Sequence, residues 1–282
     1  MAKVVIIGSG PAGVSAALYT ARAGIDTTVL TRGPGALARA EGIENYYGVP
    51  GPVSGAELER RGIEGAKAVG VQFVEAEAVG LTFTDKLTVE TLSGDYPADA
   101  VILATGGFGA NLDMVVEYKP DLAGFMTTNA PGAQGQGIDM AVAIGAGTVD
   151  MDQIQIHPTV EANTAALITE GPRGDGVILA NAEGNRFTDE VGTRDVVSAA
   201  EIAQTGSYSW LVIDQAMADA SSVIQGYIKN GYTVTGETYE ELAEAMGVDA
   251  AAFAATMDKW NAAVAAGVDE EFGRTSFANP LD

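Results

Sequence analysis

The sequence predicts a doubly wound α/β domain on a parallel sheet, followed by an α+β cap. Three observations carry that prediction. Residues 4–7 (VVII) are apolar and β-branched with no polar alternation, as a strand buried on both faces requires. A glycine turn, GSGPAG at residues 8–13, follows at once, then an Ala-rich segment and a second strand run, TTVLTR at 27–32. Further on, PADAVILATGG at 97–107 is another apolar run that ends in glycines, whereas helical spacing dominates beyond about residue 180.

The glycines give the first strand–turn–helix its Rossmann-like character. Gly8 permits the tight turn, Gly10 lets the backbone approach a pyrophosphate, and Gly13 packs helix on strand. The helix entered through Pro11 and Ala12 turns its N–H donors and positive dipole end towards the phosphates. Gly8, Gly10, Pro11, Ala12 and Gly13 are therefore the dinucleotide-binding candidates. One feature departs from the pattern: the acidic residue that grips a ribose is missing, and Thr31 or Arg32 stands near its place.

Length and composition bound the rest. A chain of 282 residues suggests one large domain or two ordinary ones, divided here as 1–152 and 153–282. With no cysteine, disulfides and thiolate metal sites are excluded, and one histidine without a clustered acidic motif leaves no metal site expected. A formal net charge of −23 repels nucleic acid and anionic membrane. No apolar run reaches the ~18 residues of a membrane span, and the chain opens directly on a strand, so a soluble, cytoplasmic protein is expected.

In the cap, YSWLVIDQ at 208–215 reads as a strand. A helix follows the capping box of Thr238 and Glu241 and stops at Gly247; another runs from an Asp249 cap to Gly267. Phe253, Met257, Trp260 and Val264 recur at helical spacing, a core stripe. The acidic VDEEFGR at 268–274 reads as a solvated turn. The one histidine, His157 in IHPT, is open to two readings, a polar group under a turn or a ligand residue.

Two resemblances sharpen these expectations. GSGPAGVSAALYTARAG, IENYYGVPGPVSGAEL and PADAVILATGG resemble the flavin domain of thioredoxin-reductase-type flavoproteins over roughly residues 1–106. That resemblance implies FAD as cofactor, Asn45 in the 44–48 segment near the flavin, and Ala104, Thr105 and Gly106 as a second backbone contact. Disulfide reduction is excluded by the absence of cysteine. From about residue 106 to 277 the chain instead resembles flavoprotein fumarate reductases of the soluble flavocytochrome type. IHPT, LITEGPRGDGVILANAEGNRFTDE, GTRDVVSAA and FGRTSF occur in that family's order and spacing.

This second resemblance implies reduction of the double bond of fumarate or a related α,β-unsaturated carboxylate, by hydride from flavin N5. By the same resemblance His157 and Thr169 hold a substrate carboxylate, Arg194 donates the proton, and Glu170 with Arg173 relays its return. The residues by themselves leave bland alternatives open. Arg173 before Gly174-Asp175-Gly176 fits a turn with a surface ion pair, Arg194-Asp195 fits a helix start, and Glu170 fits an exposed position. In TNAPGAQGQG, Gln136 stands where the relatives carry an acidic residue, which puts one cofactor contact in doubt.

The relatives continue past FGRT with a second histidine, a further arginine and a glycine-rich flavin segment, none of which this sequence holds. One route to completing the site is a partner copy in a homo-oligomer. The electron donor is not identified. The alternatives are a flavin- or nucleotide-binding protein without turnover, and an NAD(P)H flavoprotein of the thioredoxin-reductase kind lacking its redox cysteines. The site is expected between the two domains, beyond the carboxyl ends of the parallel strands.

Overall fold

Strand β1 (Lys3–Ile7) offers water no polar face, and it lies at the centre of a sheet with Val5 and Ile6 fully buried. The computed structural model describes residues 1–277 and 280–282 and divides into two units, Met1–Ile154 and Gln155–Asp282. In the first, β1 feeds α1 (Pro11–Arg22), which returns to β2 (Asp26–Thr31). Then come α2 (Gly55–Ala68) and β3 (Gln72–Glu75), a meander of β4 (Ala78–Phe83), β5 (Leu87–Thr91) and β6 (Gly94–Ala98), and β7 (Ala100–Leu103). Helices α3 (Leu112–Tyr118) and α4 (Gln136–Ala143) follow.

The sheet is parallel in the order β3-β2-β1-β7, with Val5 level with Thr28 on one side and Val101 on the other. Because side chains alternate along a strand, β1 feeds two cores. Val4 and Ile6 pack with Val14 and Ala17 of α1 and Ala66 of α2. Val5 and Ile7 pack on the other face with Leu81 and Val89 of the meander and with Met140 and Ala141 of α4. The Rossmann-like sheet predicted from the sequence is present. Its second face, however, is covered mainly by the antiparallel β4-β5-β6 sheet, which had not been anticipated.

The second unit is the α+β part. Helix α5 (Gly171–Asp175) precedes β8 (Ile178–Ala180), then α6 (Arg194–Ile202) and β9 (Trp210–Val212), which pairs antiparallel with β8. Helices α7 (Gln215–Ala220), α8 (Ser222–Lys229), α9 (Tyr239–Met246) and α10 (Ala250–Ala266) complete it. The strand run expected over 208–215 shortens to β9 because Asp214 caps α7, accepting from Met217 N at 2.7 Å. Thr238 and Asp249 cap α9 and α10 by accepting from Glu241 N and Ala252 N. Phe253, Met257 and Trp260 are buried in the core around β8 and β9.

The acidic turn corrects the sequence reading. Glu270 and Glu271 are exposed, but Asp269 and Arg274 at its two ends are buried. Both belong to an ionic core. The Arg186 guanidinium donates from Nε and Nη2 to the two oxygens of Glu190, at 2.8 and 2.9 Å, and from Nη2 to Asp269 at 3.0 Å. Arg274 donates from Nη1 to Glu190 at 3.0 Å and to the Val177 carbonyl at 2.8 Å. Both guanidinium groups lie over Trp260, 4.6 and 4.8 Å from its ring centre. Two arginines and two carboxylates leave no uncompensated charge, the condition under which buried ions are tolerated. No helix among the described residues is long and apolar enough to cross a membrane.

Candidate functional site

The glycine turn after β1 shows why each glycine is there. A Cβ on Gly8, whose φ is +110°, would stand 2.3 Å from the Ala104 carbonyl oxygen, and one on Gly13 would stand 1.9 Å from the Gly8 oxygen. These two positions are closed by packing. Gly10 differs: its φ of −66° suits any residue, and nothing lies within 4 Å of where its Cβ would be. It caps α1 without a side-chain hydrogen bond, so the open side faces an N-terminus that carries unpaired N–H groups. An uncapped helix start beside a cradle that a side chain would fill fits a pyrophosphate.

Neighbouring segments close on the same turn. Ala104 N donates to the Ile7 carbonyl at 2.8 Å, which brings the end of β7 beside the end of β1. The glycine-rich segment before α4 returns there as well, since a Cβ on Gly137 would meet Thr105 Oγ1 at 2.2 Å, and Gly135 N donates to the Gly107 carbonyl. At the end of β2, Thr31 and Ser9 share a hydrogen bond of 2.6 Å, and Arg32 turns away to Glu77 at 3.0 Å. Asn45 is exposed on a loop closed by the paired Ile43 and Val53, and among the described residues no hydrogen bond ties it to the glycine turn.

These positions separate two effects of substitution. Gly10→Val is expected to leave stability within about 0.5 kcal/mol, because its Cβ meets nothing, while lowering flavin retention. Gly13→Val is expected to unfold the first unit. Thermal melting beside flavin absorbance checks both; equal losses of stability would show that the turn serves packing alone.

The second unit gathers the other candidates. Residues 157–161 and 166–170 run antiparallel: Val160 bridges Leu167, Ile168 N donates to the Thr159 carbonyl, and Glu161 N donates to the Ala166 carbonyl. Continuing that register places His157 opposite Glu170. His157 Nδ1 turns onto its own strand, 3.2 Å from Thr159 N and 2.9 Å from the Thr159 oxygen. Its Nε2 is buried, has no hydrogen-bond partner among the described residues, and lies 3.4 Å from Glu170 Oε1.

Arg194 enters from the first turn of α6, after the Thr193 cap, and meets the same carboxylate through Nε and Nη2. Its Nη1 donates to Gln155 Oε1. One carboxylate, Glu170, thus sits between an imidazole and a guanidinium. Burial pushes the Glu170 carboxyl up, but the Arg194 hydrogen bond and the charges of His157 and Arg194 outweigh it and hold it below its ordinary range.

Arg173 does not form the surface ion pair that a turn reading allowed. It is 4% exposed on α5; its Nη1 donates to the Glu190 carbonyl at 3.0 Å, and its buried Nε has no partner among the described residues. Burial lowers its proton affinity, and the charge of Arg194 adds to that, against the raising effects of Glu170 and Glu201. The ionic core fixes its place, because Arg274 Nη2 donates to the Arg173 carbonyl at 3.1 Å. Thr169 joins another partner: its N donates to the Tyr227 hydroxyl at 2.9 Å, which donates on to Thr169 Oγ1 at 3.3 Å.

Three residues were missed by sequence reasoning. Gln155 alternates with His157 along QIQIH, a period-two signal that could have nominated it. Tyr227 is 58 residues from Thr169, with no local signal. Glu201, on α6, accepts from Ser209 Oγ at 2.6 Å, and burial pushes its carboxyl up to about 7 against the pull of Ser209 and Arg173. A carboxyl raised in the folded state binds more protons than in the unfolded chain, so its contribution to stability falls as pH rises from about 4.5 to about 7. Glu201→Gln is expected to remove that fall and to stabilise the protein near pH 7 by up to about 3 kcal/mol, with no gain near pH 4.5. Denaturant melts of both proteins across that range measure the difference. Among the described residues no cluster of three or more His, Asp or Glu could hold a metal ion.

A family model described as an FAD binding domain matches residues 3–60 and 48–280. The NADH:fumarate oxidoreductase of Klebsiella pneumoniae (strain 342) is 44% identical over 224 residues, 78% of this chain and 24% of the relative. The fumarate reductase (cytochrome) of Shewanella frigidimarina is 42% identical over 185 residues, 66% of this chain and 32% of the relative. The chain therefore spans about a quarter to a third of the length of these curated relatives. The open conformation of a flavocytochrome c3 fumarate reductase superposes with a TM-score of 0.70 at 26% identity, covering 100% of this chain and 64% of that one.

Proposed function

The chain belongs to the FAD binding domain family, and on that premise we propose that it reduces the carbon–carbon double bond of fumarate or a related α,β-unsaturated carboxylate. The observation that carries this reading is the seat of Glu170, where one carboxylate is held by Arg194 and faces the Nε2 of His157, which has no hydrogen-bond partner among the described residues. Groups that bind an internal carboxylate this way suit a substrate carboxylate equally well.

The turn residues Gly8, Gly10, Pro11, Ala12 and Gly13, with Ala104, Thr105 and Gly106, would hold FAD, and Asn45 would lie near it. When bound and reduced, FAD supplies a hydride to one carbon of the double bond. This chain's residues do the remainder. His157, donating from Nε2, and Thr169, set by Tyr227, hold a carboxylate of the substrate. Arg194 donates a proton to the other carbon. A guanidinium holds its proton tightly in water, so this step requires a neighbouring group that hands a proton back at once. Glu170 is that group, passing to Arg194 a proton it accepts from Arg173, whose own proton is loosened by burial and by the charge of Arg194. Fixed donors aimed at developing negative charge stabilise the transition state without reorganising.

A second reading is favoured by one feature. His157 Nε2 already faces Glu170 at 3.4 Å, so a substrate carboxylate must take His157 from Glu170 while Glu170 stays on Arg194, and a chain in which His157 never yields would bind flavin without turnover. The test is a reduced viologen dye with the FAD-loaded protein. Reoxidation on adding fumarate supports reduction; flavin-loaded protein inert to fumarate and to other enoates supports the binding-only reading.

A further inference from the structure

The end of β2 offers no carboxylate to an adenosine ribose, although nucleotide-binding folds of this kind commonly carry one there. Thr31 takes that place, and its hydroxyl is occupied. It shares a hydrogen bond of 2.6 Å with Ser9, accepts from Gly33 N at 3.2 Å and donates to the Gly33 carbonyl at 3.2 Å. Arg32 turns to Glu77. A carboxylate reaches the same loop from a different element, α2. That helix starts against the segment that follows β2: Gly55 N donates to the Ala40 carbonyl at 2.8 Å, and a Cβ on Gly55 would stand 1.8 Å from the Leu37 oxygen. The face that begins at Gly55 continues through Glu59, Gly62 and Ala66, at the i, i+4, i+7 and i+11 spacing of one stripe. A Cβ on Gly62 would stand 3.4 Å from Val14 of α1, and Ala66 packs with Val4 and Ile6 of β1.

Glu59 is thus an acid on a face otherwise made of small residues. It is 9% exposed, and its Oε1 accepts from Gly35 N at 3.1 Å. Among the described residues no arginine or lysine pairs with it, and Oε2 has no hydrogen-bond partner. A buried carboxylate without a cation is costly, and one backbone N–H satisfies only one of its oxygens. The loop it holds runs back through Gly33 and Thr31 to Ser9 in the glycine turn. In FAD the adenosine ribose is joined directly to the pyrophosphate, so a group that holds the ribose must stand close to that turn.

We propose that Glu59 is the ribose-binding acid of the flavin site, supplied by α2 in place of the end of β2. Oε2 accepts from a hydroxyl of the adenosine ribose while Oε1 stays on Gly35 N. A hydroxyl donating to an ionised acceptor makes a charge-assisted hydrogen bond, one of the stronger kinds. The inference concerns cofactor binding alone and is independent of the reduction reading.

The test measures, by flavin fluorescence, the binding of FAD and of an FAD analogue whose adenosine ribose lacks both hydroxyls. The proteins are flavin-free wild type and Glu59→Gln; glutamine keeps the length and the acceptor for Gly35 N but removes the charge. Wild type is expected to bind FAD about ten- to a hundredfold more tightly than the analogue, the range of a hydrogen bond to a charged group. In Glu59→Gln that preference should shrink to about threefold or less, through weaker FAD binding, with the analogue bound within about twofold of wild type. A preference as large in Glu59→Gln as in wild type overturns the inference and leaves Glu59 a brace for the Gly35 loop. Equal weakening of both ligands overturns it as well, because a displaced loop does not distinguish them. Wild type that binds FAD and the analogue alike overturns it without any variant.

Discussion

Arg194→Gln is expected to lower fumarate-dependent dye oxidation by about 10² to 10⁴, the range that a positioned proton donor contributes. The glutamine keeps much of the length and a hydrogen bond but has no cation to offer Glu170 or substrate. Stability is expected to change by no more than about 1 kcal/mol, because the Arg194–Glu170 pair is roughly 40% exposed on both sides and screened by water. Flavin content should not change, since the glycine turn lies in the other unit. The division of the loss identifies the role. A fall in kcat with little change in KM marks the proton donor, and a rise in KM alone would reassign Arg194 to carboxylate binding. Arg194→Lys retains a charge and a proton, but not the fork that reaches Glu170 and Gln155 together, and should fall between the two.

Arg274→Met is expected to be the most damaging substitution for stability, at about 3–5 kcal/mol, the cost of breaking a buried ion pair from one side. Arg274 is fully buried and donates to Glu190 and to the carbonyls of Val177, Arg173 and Ser276. Methionine fills the space over Trp260 but leaves three carbonyls without that donor, and Glu190 with Arg186 alone. For a unit of this size the melting temperature should drop by roughly 10–20 °C. Since the Arg173 carbonyl is one of the orphaned acceptors, α5 should loosen first, and activity at low temperature should fall before the protein melts. A variant that melts like wild type would show that the ionic core does not support the second unit.

The fold was legible where residues state their surroundings locally. The unbroken VVII run reads as a strand covered on both faces, and the glycines at 8 and 13 pack as their spacing implied. Both are pressed against backbone, and Gly10 is open. The caps of α9 and α10 and the Phe253-Met257-Trp260 stripe were equally local. The meander over the second face was not seen, although LTFTDKLTVETLSGDYPA alternates as half-buried antiparallel strands do. The acidic turn was misread because composition reports average polarity. What buries Asp269 is Arg186, 83 residues away, and no local pattern carries that pairing.

The candidate site divides in the same way. The register that sets His157 opposite Glu170 follows from a short antiparallel pair, and the resemblance had already named both residues along with Arg194. Chemistry alone would not nominate an arginine as an acid. Gln155 was within reach of a period-two argument, whereas Tyr227 and Glu201 depend on tertiary packing. Glu201 on an Ala-rich helix reads as a solvated residue until the burial of its neighbours Val197 and Ser198 is known.

The central claim is that this chain, loaded with flavin, turns an unsaturated carboxylate into a saturated one. The most direct measurement is a single anaerobic mixing of reduced, FAD-loaded protein with fumarate, followed by flavin absorbance and by product analysis. The account predicts that the oxidised flavin spectrum returns and that succinate forms one for one with flavin, in wild type and far more slowly in Arg194→Gln. Flavin that stays reduced in wild type, or is reoxidised without succinate, would contradict it.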